Sequence, residues 1–202
     1  MYFIGITGGV GAGKSAILSY LEQKPGFRVM LADDIAHMLM RPGTDCFSKI
    51  RQAFGDEDIF EADGSLCSGM VAEVIFSDET KRSVMNGIVH PAVKQYVLEQ
   101  VRLEREKGEL SFLFLEAALL IEEHYDAICD ELWYINTSED NRRARLKESR
   151  GYSEEKIQSI FESQLSEEEY RAACKVVIDN NGTKEASYEQ IEKALRRKAD
   201  EQ

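Results

Sequence analysis

Gly8-Gly9-Val10-Gly11-Ala12-Gly13-Lys14-Ser15 is the stretch that decides the fold. It fits the pattern G-x-x-x-x-G-K-[ST] at every fixed position. Upstream, Tyr2-Phe3-Ile4-Gly5-Ile6-Thr7 is a short apolar run of the kind that forms a buried parallel strand. Downstream, Ile17, Leu18 and Leu21 recur at helical spacing until Lys24-Pro25-Gly26 stops the helix. A glycine-rich loop in that position can curl so that its backbone N–H groups point inward at phosphate oxygens, and the helix N-terminus adds its partial positive charge. Lys14 then reaches the β- and γ-phosphates of a nucleotide, and the Ser15 hydroxyl ligates Mg²⁺. Gly9, Gly11, Ala12, Gly13, Lys14, Ser15 and Ala16 are accordingly the expected ATP-binding set, with ATP and Mg²⁺ as the ligands.

A second pattern overlaps the first. Gly11-Ala12-Gly13-Lys14-Ser15-Ala16 also fits G-x-G-x-x-A, with Asp33 about twenty residues on, which is the signature of a dinucleotide site in an NAD-binding oxidoreductase. That reading leaves Gly8, Lys14 and Ser15 without a role.

Working outward, short apolar runs recur at Phe27–Leu31, at 111–115, at Glu131–Asn136 and at 175–178. Helical patterns lie between them: about 34–40, 139–149, 153–163 and 167–173, with a last amphipathic helix after Asp179-Asn180-Asn181-Gly182. Strands alternating with helices predict an α/β fold, a five-stranded parallel sheet flanked by helices; with the phosphate loop after its first strand this is the P-loop NTPase fold. Residues 44–109 are too long for a simple crossover and read as an inserted helical subdomain. Within it, 79–107 is a long helical pattern that Pro91 should kink or divide.

Composition narrows the class. Hydrophobic residues make up 43% and charged residues 31%, ordinary for a globular chain, and no apolar run approaches the ~20 residues of a membrane span. The first residues read as a strand and not as a signal peptide. The net charge of −12 argues against a nucleic-acid coat. Cys46, Cys67, Cys129 and Cys174 are widely spaced with no C-x-x-C pair, which fits a reducing cytoplasm better than a zinc site or a disulfide framework. A small-molecule partner and a monomeric chain are expected, with no nucleic-acid or membrane partner.

Three further features bear on chemistry. Asp33 and Asp34 follow the second strand, at the carboxyl edge where α/β sheets bind ligands. Asp33 reads equally well as a base taking a proton from a substrate hydroxyl or as a helix N-cap. Glu116 ends the third strand and reads as a Mg²⁺ ligand or as a buried carboxylate paired with a nearby base. Arg142, Arg143, Arg145, Lys147 and Arg150 form a basic run in an acidic chain. Such a run is a solvated helix face or a set of phosphate-neutralising groups, with Arg145 and Arg150 as the candidates for the latter.

Taken in order, these residues resemble the dephospho-CoA kinase family over nearly the whole chain. The resemblance is carried by Thr7 through Ser15, Ala32-Asp33 with Ile35-Ala36, Pro42-Gly43, Phe54-Gly55, Asp63-Gly64, Phe76 and His90-Pro91. It continues through Leu119-Leu120-Ile121-Glu122, Gly151-Tyr152-Ser153, Gln164 and Val177 to Gly182. It implies transfer of the ATP γ-phosphoryl group to the ribose 3′-hydroxyl of dephospho-CoA. It further implies that Asp33 is the general base, that Lys14 and Arg145 serve the transfer, and that Asn180 and Gly182 lie near the adenine of ATP. His90, Glu116 and Leu119 join Asp33 at the acceptor. The implied layout is a core of 1–43, 110–138 and 174–202, a helical substrate-binding subdomain of about 44–109 and a helical lid of about 139–163.

Several positions depart from the family pattern. Leu31 stands where Asp is usual, His37 and Ser68 where Arg is usual, Ala118 in place of Pro, and Lys175 in place of an acidic residue. Glu148 or Ser149 occupies a common lid arginine position. Fewer arginines for an anionic acceptor leave a nucleoside or nucleotide kinase as the alternative. A decayed nucleotide-binding protein is the non-enzymatic one.

Overall fold

The computed structural model describes residues 1–200. Five strands, β1 (Tyr2–Thr7), β2 (Phe27–Leu31), β3 (Phe112–Glu116), β4 (Glu131–Asn136) and β5 (Val176–Asp179), form one sheet in the order β2-β3-β1-β4-β5. β1 runs parallel to both its neighbours, β3 and β4, and β4 is parallel to β5. The chain leaves β1 toward one side for β2 and β3 and crosses to the other for β4 and β5. The carboxyl end of β1 therefore opens where the direction of winding reverses, the place where such sheets bind ligands.

Continuous apolar strands make this a two-sided sheet. Phe3, Ile4, Ile6, Leu113, Phe114, Leu115, Trp133 and Ile135 have no exposed surface. Rings brace the sheet, with Phe27 of β2 edge-on to Phe112 of β3 at 4.9 Å and Phe114 of β3 edge-on to Trp133 of β4 at 6.2 Å. The expected third strand is shifted by one residue, so Glu116 is its last sheet residue, in register with Ile6.

The chain divides into two compact units: residues 1–30 with everything from Lys107 onward, and Leu31–Glu106. Besides the sheet, the first unit holds α1 (Lys14–Glu22), α6 (Glu139–Arg150), α7 (Glu154–Glu162), α8 (Glu167–Ala173) and α9 (Lys184–Asp200). Ser138, Ser153 and Ser166 cap α6, α7 and α8 with their side-chain oxygens, and Ser166 forms a full capping box with Glu169. α9 packs on α1 and β5. Tyr188 stacks on Tyr20 at 3.9 Å, and Glu192 accepts a hydrogen bond from the Tyr20 hydroxyl at 2.6 Å and pairs with Lys24 at 2.5 Å.

The second unit is helical: α2 (Ala32–Leu39), α3 (Asp45–Ala53), α4 (Ser68–Ser77) and α5 (Glu79–Lys107), the last of which ends across the unit boundary. α2 packs on α3, so the helix leaving β2 belongs with this unit and takes Asp33 with it. The sequence reading drew the insertion from 44. Pro91 does not divide the long helix: α5 runs as one helix of 29 residues, with Pro91 exposed and Met85, Val89, Val93, Val97 and Val101 buried at every fourth position. Burial of that stripe outweighs the single backbone bond a proline removes. Around Asp63-Gly64 a tight turn with Gly64 at φ 82° brings Phe60 and Leu66 into an antiparallel bridge.

One ion cluster ties α9 to the amino-terminal edge of the sheet. Glu131, the first residue of β4, has a side chain only 1% exposed and meets Lys198 at 2.5 Å and Lys175 at 2.9 Å. The Trp133 indole N–H donates to its second oxygen at 3.2 Å. Lys175 is one of the departures from the family pattern, and its partner is this carboxylate. Burial alone pushes the Glu131 carboxyl up. Hydrogen bonds from Lys198, Lys175 and Trp133 outweigh it, and the group is held below the usual carboxylate range. Because the folded pKa is depressed, the stabilisation is present above the unfolded carboxylate value and is lost as pH falls through the folded one. Glu131→Gln removes the buried negative charge that Lys198 and Lys175 meet and is expected to cost about 3 kcal/mol at neutral pH. Urea titrations across pH check this: the gap between wild type and variant should close in acid, and a pH-independent gap would remove the ionic account.

Candidate active site

The phosphate loop sits between β1 and α1. Gly11 and Gly13 take φ of +83° and +88°, in the left-handed region where a side chain is strained. The Ala12 amide donates to Gly9 O at 3.0 Å and tightens the curl. Gly13 is the N-cap of α1, so no side chain caps the helix, and the first turn contains no acidic residue. The amides and the positive pole of α1 are thus left for an external anion. Ser15 is exposed in the first turn. Lys14 donates from Nζ to Gly8 O at 2.6 Å and faces Glu116 Oε1 at 3.4 Å. Glu116 is paired with this base, as one of its two sequence readings held.

A peptide chain that turns its amides inward must turn carbonyls outward, and these need donors. Ala12 O accepts three: Asn180 Nδ2 at 2.7 Å, Thr137 Oγ1 at 2.9 Å and Arg145 Nη1 at 3.1 Å. Arg145 Nη2 also donates to Asn180 O at 2.8 Å. Val10 O accepts from Arg142 Nε at 2.9 Å. Arg142 also donates through Nη2 to Gln164 Oε1, which accepts the Val10 N–H at 3.3 Å, and its guanidinium lies 4.2 Å over the Phe161 ring. Burial pushes the Arg142 pKa down; a guanidinium nonetheless stays charged at physiological pH.

The basic run therefore splits by helical phase. Arg142 and Arg145 face the loop. Arg143 and Lys147 both pair with Glu154 at the start of α7, and exposed Arg150 lies near the Tyr152 ring. The expected lid begins as the wall behind the phosphate loop. Arg142, Gln164 and Thr137 were not singled out as loop contacts by sequence reasoning. Arg142 stood in the basic run and Gln164 in the family resemblance, but Thr137 carried no signal.

The remaining expected residues distribute as follows. Asn180 is buried, held by Ser187 Oγ at 2.8 Å, while Gly182 is exposed in the turn before α9. Ala118 and Leu119 are exposed in the turn after β3, above a fully buried Leu120. In the helical unit, Asp33 is exposed in the first turn of α2, whose N-cap is Leu31. The N-cap reading of Asp33 is thus overturned: α2 starts directly off β2, leaving no turn residue for an aspartate to occupy. Asp33 and Asp34 instead complement the positive end of α2. His90 is half-buried on α5, and His37 and Ser68 are exposed.

Ser15 and Glu116 provide a hydroxyl and a carboxylate within one residue of Lys14 in sequence or space. Such hard oxygen donors suit Mg²⁺ and not a soft metal. Among the described residues no helix is long and apolar enough to cross a membrane.

The family model for dephospho-CoA kinase matches residues 2–186. A dephospho-CoA kinase of Shouchella clausii is 36% identical over 198 residues, 98% of this chain and 99% of that protein. Among solved structures, TT1252 from Thermus thermophilus superposes with a TM-score of 0.81 at 24% identity, covering 98% of this chain and 97% of that one. A dephospho-CoA kinase from Campylobacter jejuni superposes with a TM-score of 0.71 at 20% identity, covering 96% and 95%. The two superpositions establish the fold.

A Cβ at Gly13 would lie 2.6 Å from Asn180 Nδ2 and 3.1 Å from Arg145 Nη1, on a backbone with φ +88°. Left-handed strain alone costs about 1–2 kcal/mol. Gly13→Ala is expected to weaken ATP binding by about tenfold or more. Calorimetric titration with ATP checks it, and an unchanged Kd would mean that the loop tolerates a side chain at its helix cap.

Proposed function

The chain belongs to the dephospho-CoA kinase family, and from that premise we propose how its residues divide the work of an ATP-dependent transfer to dephospho-CoA. The observation that carries the assignment of roles is the start of α1. It is an uncapped helix N-terminus on a left-handed glycine, with Lys14 in its first turn and Glu116 opposite.

ATP lays its phosphates in the loop between Gly9 and Ala16, against the Gly11 and Gly13 amides and the start of α1. Lys14 exchanges its contacts with Gly8 O and Glu116 for the β- and γ-phosphate oxygens, neutralising charge that builds as the γ-phosphoryl group transfers. Ser15 and Glu116 would hold Mg²⁺, which would supply charge neutralisation for the transfer. Asn180 and Gly182 border the adenine, and Arg145 lies between Asn180 and the loop. Asp33 accepts the proton of the ribose 3′-hydroxyl as that oxygen attacks the γ-phosphorus. His90 and Leu119 contact the acceptor, with the helical unit carrying its pantetheine arm. The departures at His37 and Ser68 leave the acceptor's anionic groups to other bases, for which Arg41, Lys49 and Arg51 are exposed on or next to α3. The protein acts as a cytoplasmic monomer, and the segment beyond the first turns of α6 closes over the bound substrates.

Product identification tests the acceptor. Purified protein with Mg-ATP should release ADP in proportion to added dephospho-CoA and yield CoA by mass. Release unaffected by dephospho-CoA but stimulated by a nucleoside would move the acceptor assignment to that class. For the proposed base, Asp33→Asn should retain ATP affinity while kcat falls by about 10²–10⁴-fold. Steady-state kinetics at saturating ATP decide it, since turnover near that of wild type would leave Asp33 without the role. Lys14→Ala should lower kcat/KM for ATP, and an unchanged value would contradict the phosphate-loop assignment.

A further inference from the structure

Arg142 is 9% exposed, and among the described residues its hydrogen bonds go to neutral oxygens, Val10 O and Gln164 Oε1. A buried guanidinium without a hydrogen-bonded carboxylate is costly unless its charge serves another group. Its neighbourhood is built to hold it. Phe161 takes one face, and Gln164 is fixed in turn by the Val10 amide at 3.3 Å. Gly9 leaves the room: a Cβ there would lie 2.4 Å from the Arg142 Cζ. Glycine at position 9 thus answers to Arg142 as well as to any phosphate.

The two contacts grip Val10 from both ends, its carbonyl directly and its amide through Gln164. A trans peptide points its C=O and N–H in opposite directions. With Val10 C=O drawn toward α6, the Gly11 amide is turned to the opposite side. The same holds one step along the loop, where Arg145 on Ala12 C=O turns the Gly13 amide. A charged donor on a carbonyl also polarises its peptide unit and strengthens the N–H at the other end.

We propose that Arg142, braced by Gln164, is a positioning residue for ATP, holding the tip of the phosphate loop in the form that presents the Gly11 amide. The proposal rests on the kinase reading of this loop but not on the identity of the acceptor. Arg142→Gln and Gln164→Leu should each raise the Kd and KM for ATP, by about 10–100-fold for the first, the range for losing a hydrogen bond from a charged group. KM for dephospho-CoA and kcat at saturating ATP should stay near wild type, and Arg142→Lys should recover part of the ATP affinity. Calorimetry with ATP, melting temperature and steady-state kinetics are read together. A lowered melting temperature with an ATP Kd within about twofold of wild type would mean that the clasp is structural only, and would overturn the proposal. Should Arg142→Gln fail to fold, Gln164→Leu and Arg142→Lys carry the same comparison. Wild type that binds ATP but makes no CoA would count against the acceptor and leave the clasp standing.

Discussion

A loop that gathers amide groups around an anion has an opposite side, and that side is made of carbonyls that must be hydrogen-bonded or hydrated. Here the opposite side is buried. Ala12 O is met by Thr137 from the end of β4, Arg145 from α6 and Asn180 from the end of β5, and Val10 O by Arg142. Three separate stretches of chain converge on two oxygens. The order of the sheet explains why they can: β4 and β5 lie on one side of β1, so the segments that follow them arrive behind the loop that follows β1. The phosphate loop is in this sense braced from behind, by the segments that follow β4 and β5.

The same economy of main-chain recognition limits what side chains in the loop must do. Val10 and Ala12 are held through backbone oxygens, so their side chains need only fit the space. The glycines are restricted by φ at positions 11 and 13 and by the approach of a guanidinium at position 9. The α1 dipole completes the site because the residue in front of it is a glycine, which can adopt the left-handed cap but offers no oxygen to compete with a phosphate.

Much of this was legible in the sequence. Gly8 to Ser15 is readable because each fixed residue answers to geometry within the loop, and the strands are readable because doubly covered strands are continuous apolar runs. The basic run at 142–150 was less so. A charge run does not reveal which of its members face inward, because that depends on what the helix packs against, and Arg142 and Arg145 differ from Arg143 and Lys147 only in phase. The start of α2 was missed because Asp33 looks like a cap, and only the structure shows the helix starting off the strand at Ala32. Lys175 looked like a lost acidic residue, and the carboxylate that explains it lies at the other end of the intervening helices, with nothing in the local sequence to connect the two. Pro91 was overrated as a breaker because the buried stripe of α5 is a tertiary fact.

Glu131 adds a constraint in time as well as in space. During synthesis the carboxylate at the start of β4 leaves the ribosome well before Lys175 and longer still before Lys198, its two closest partners. Until they emerge, a strand that is otherwise ready to enter the sheet carries an ionised group with no salvation but water. Burial of that carboxylate with its charge compensated therefore requires the carboxyl-terminal part of the chain to be in place.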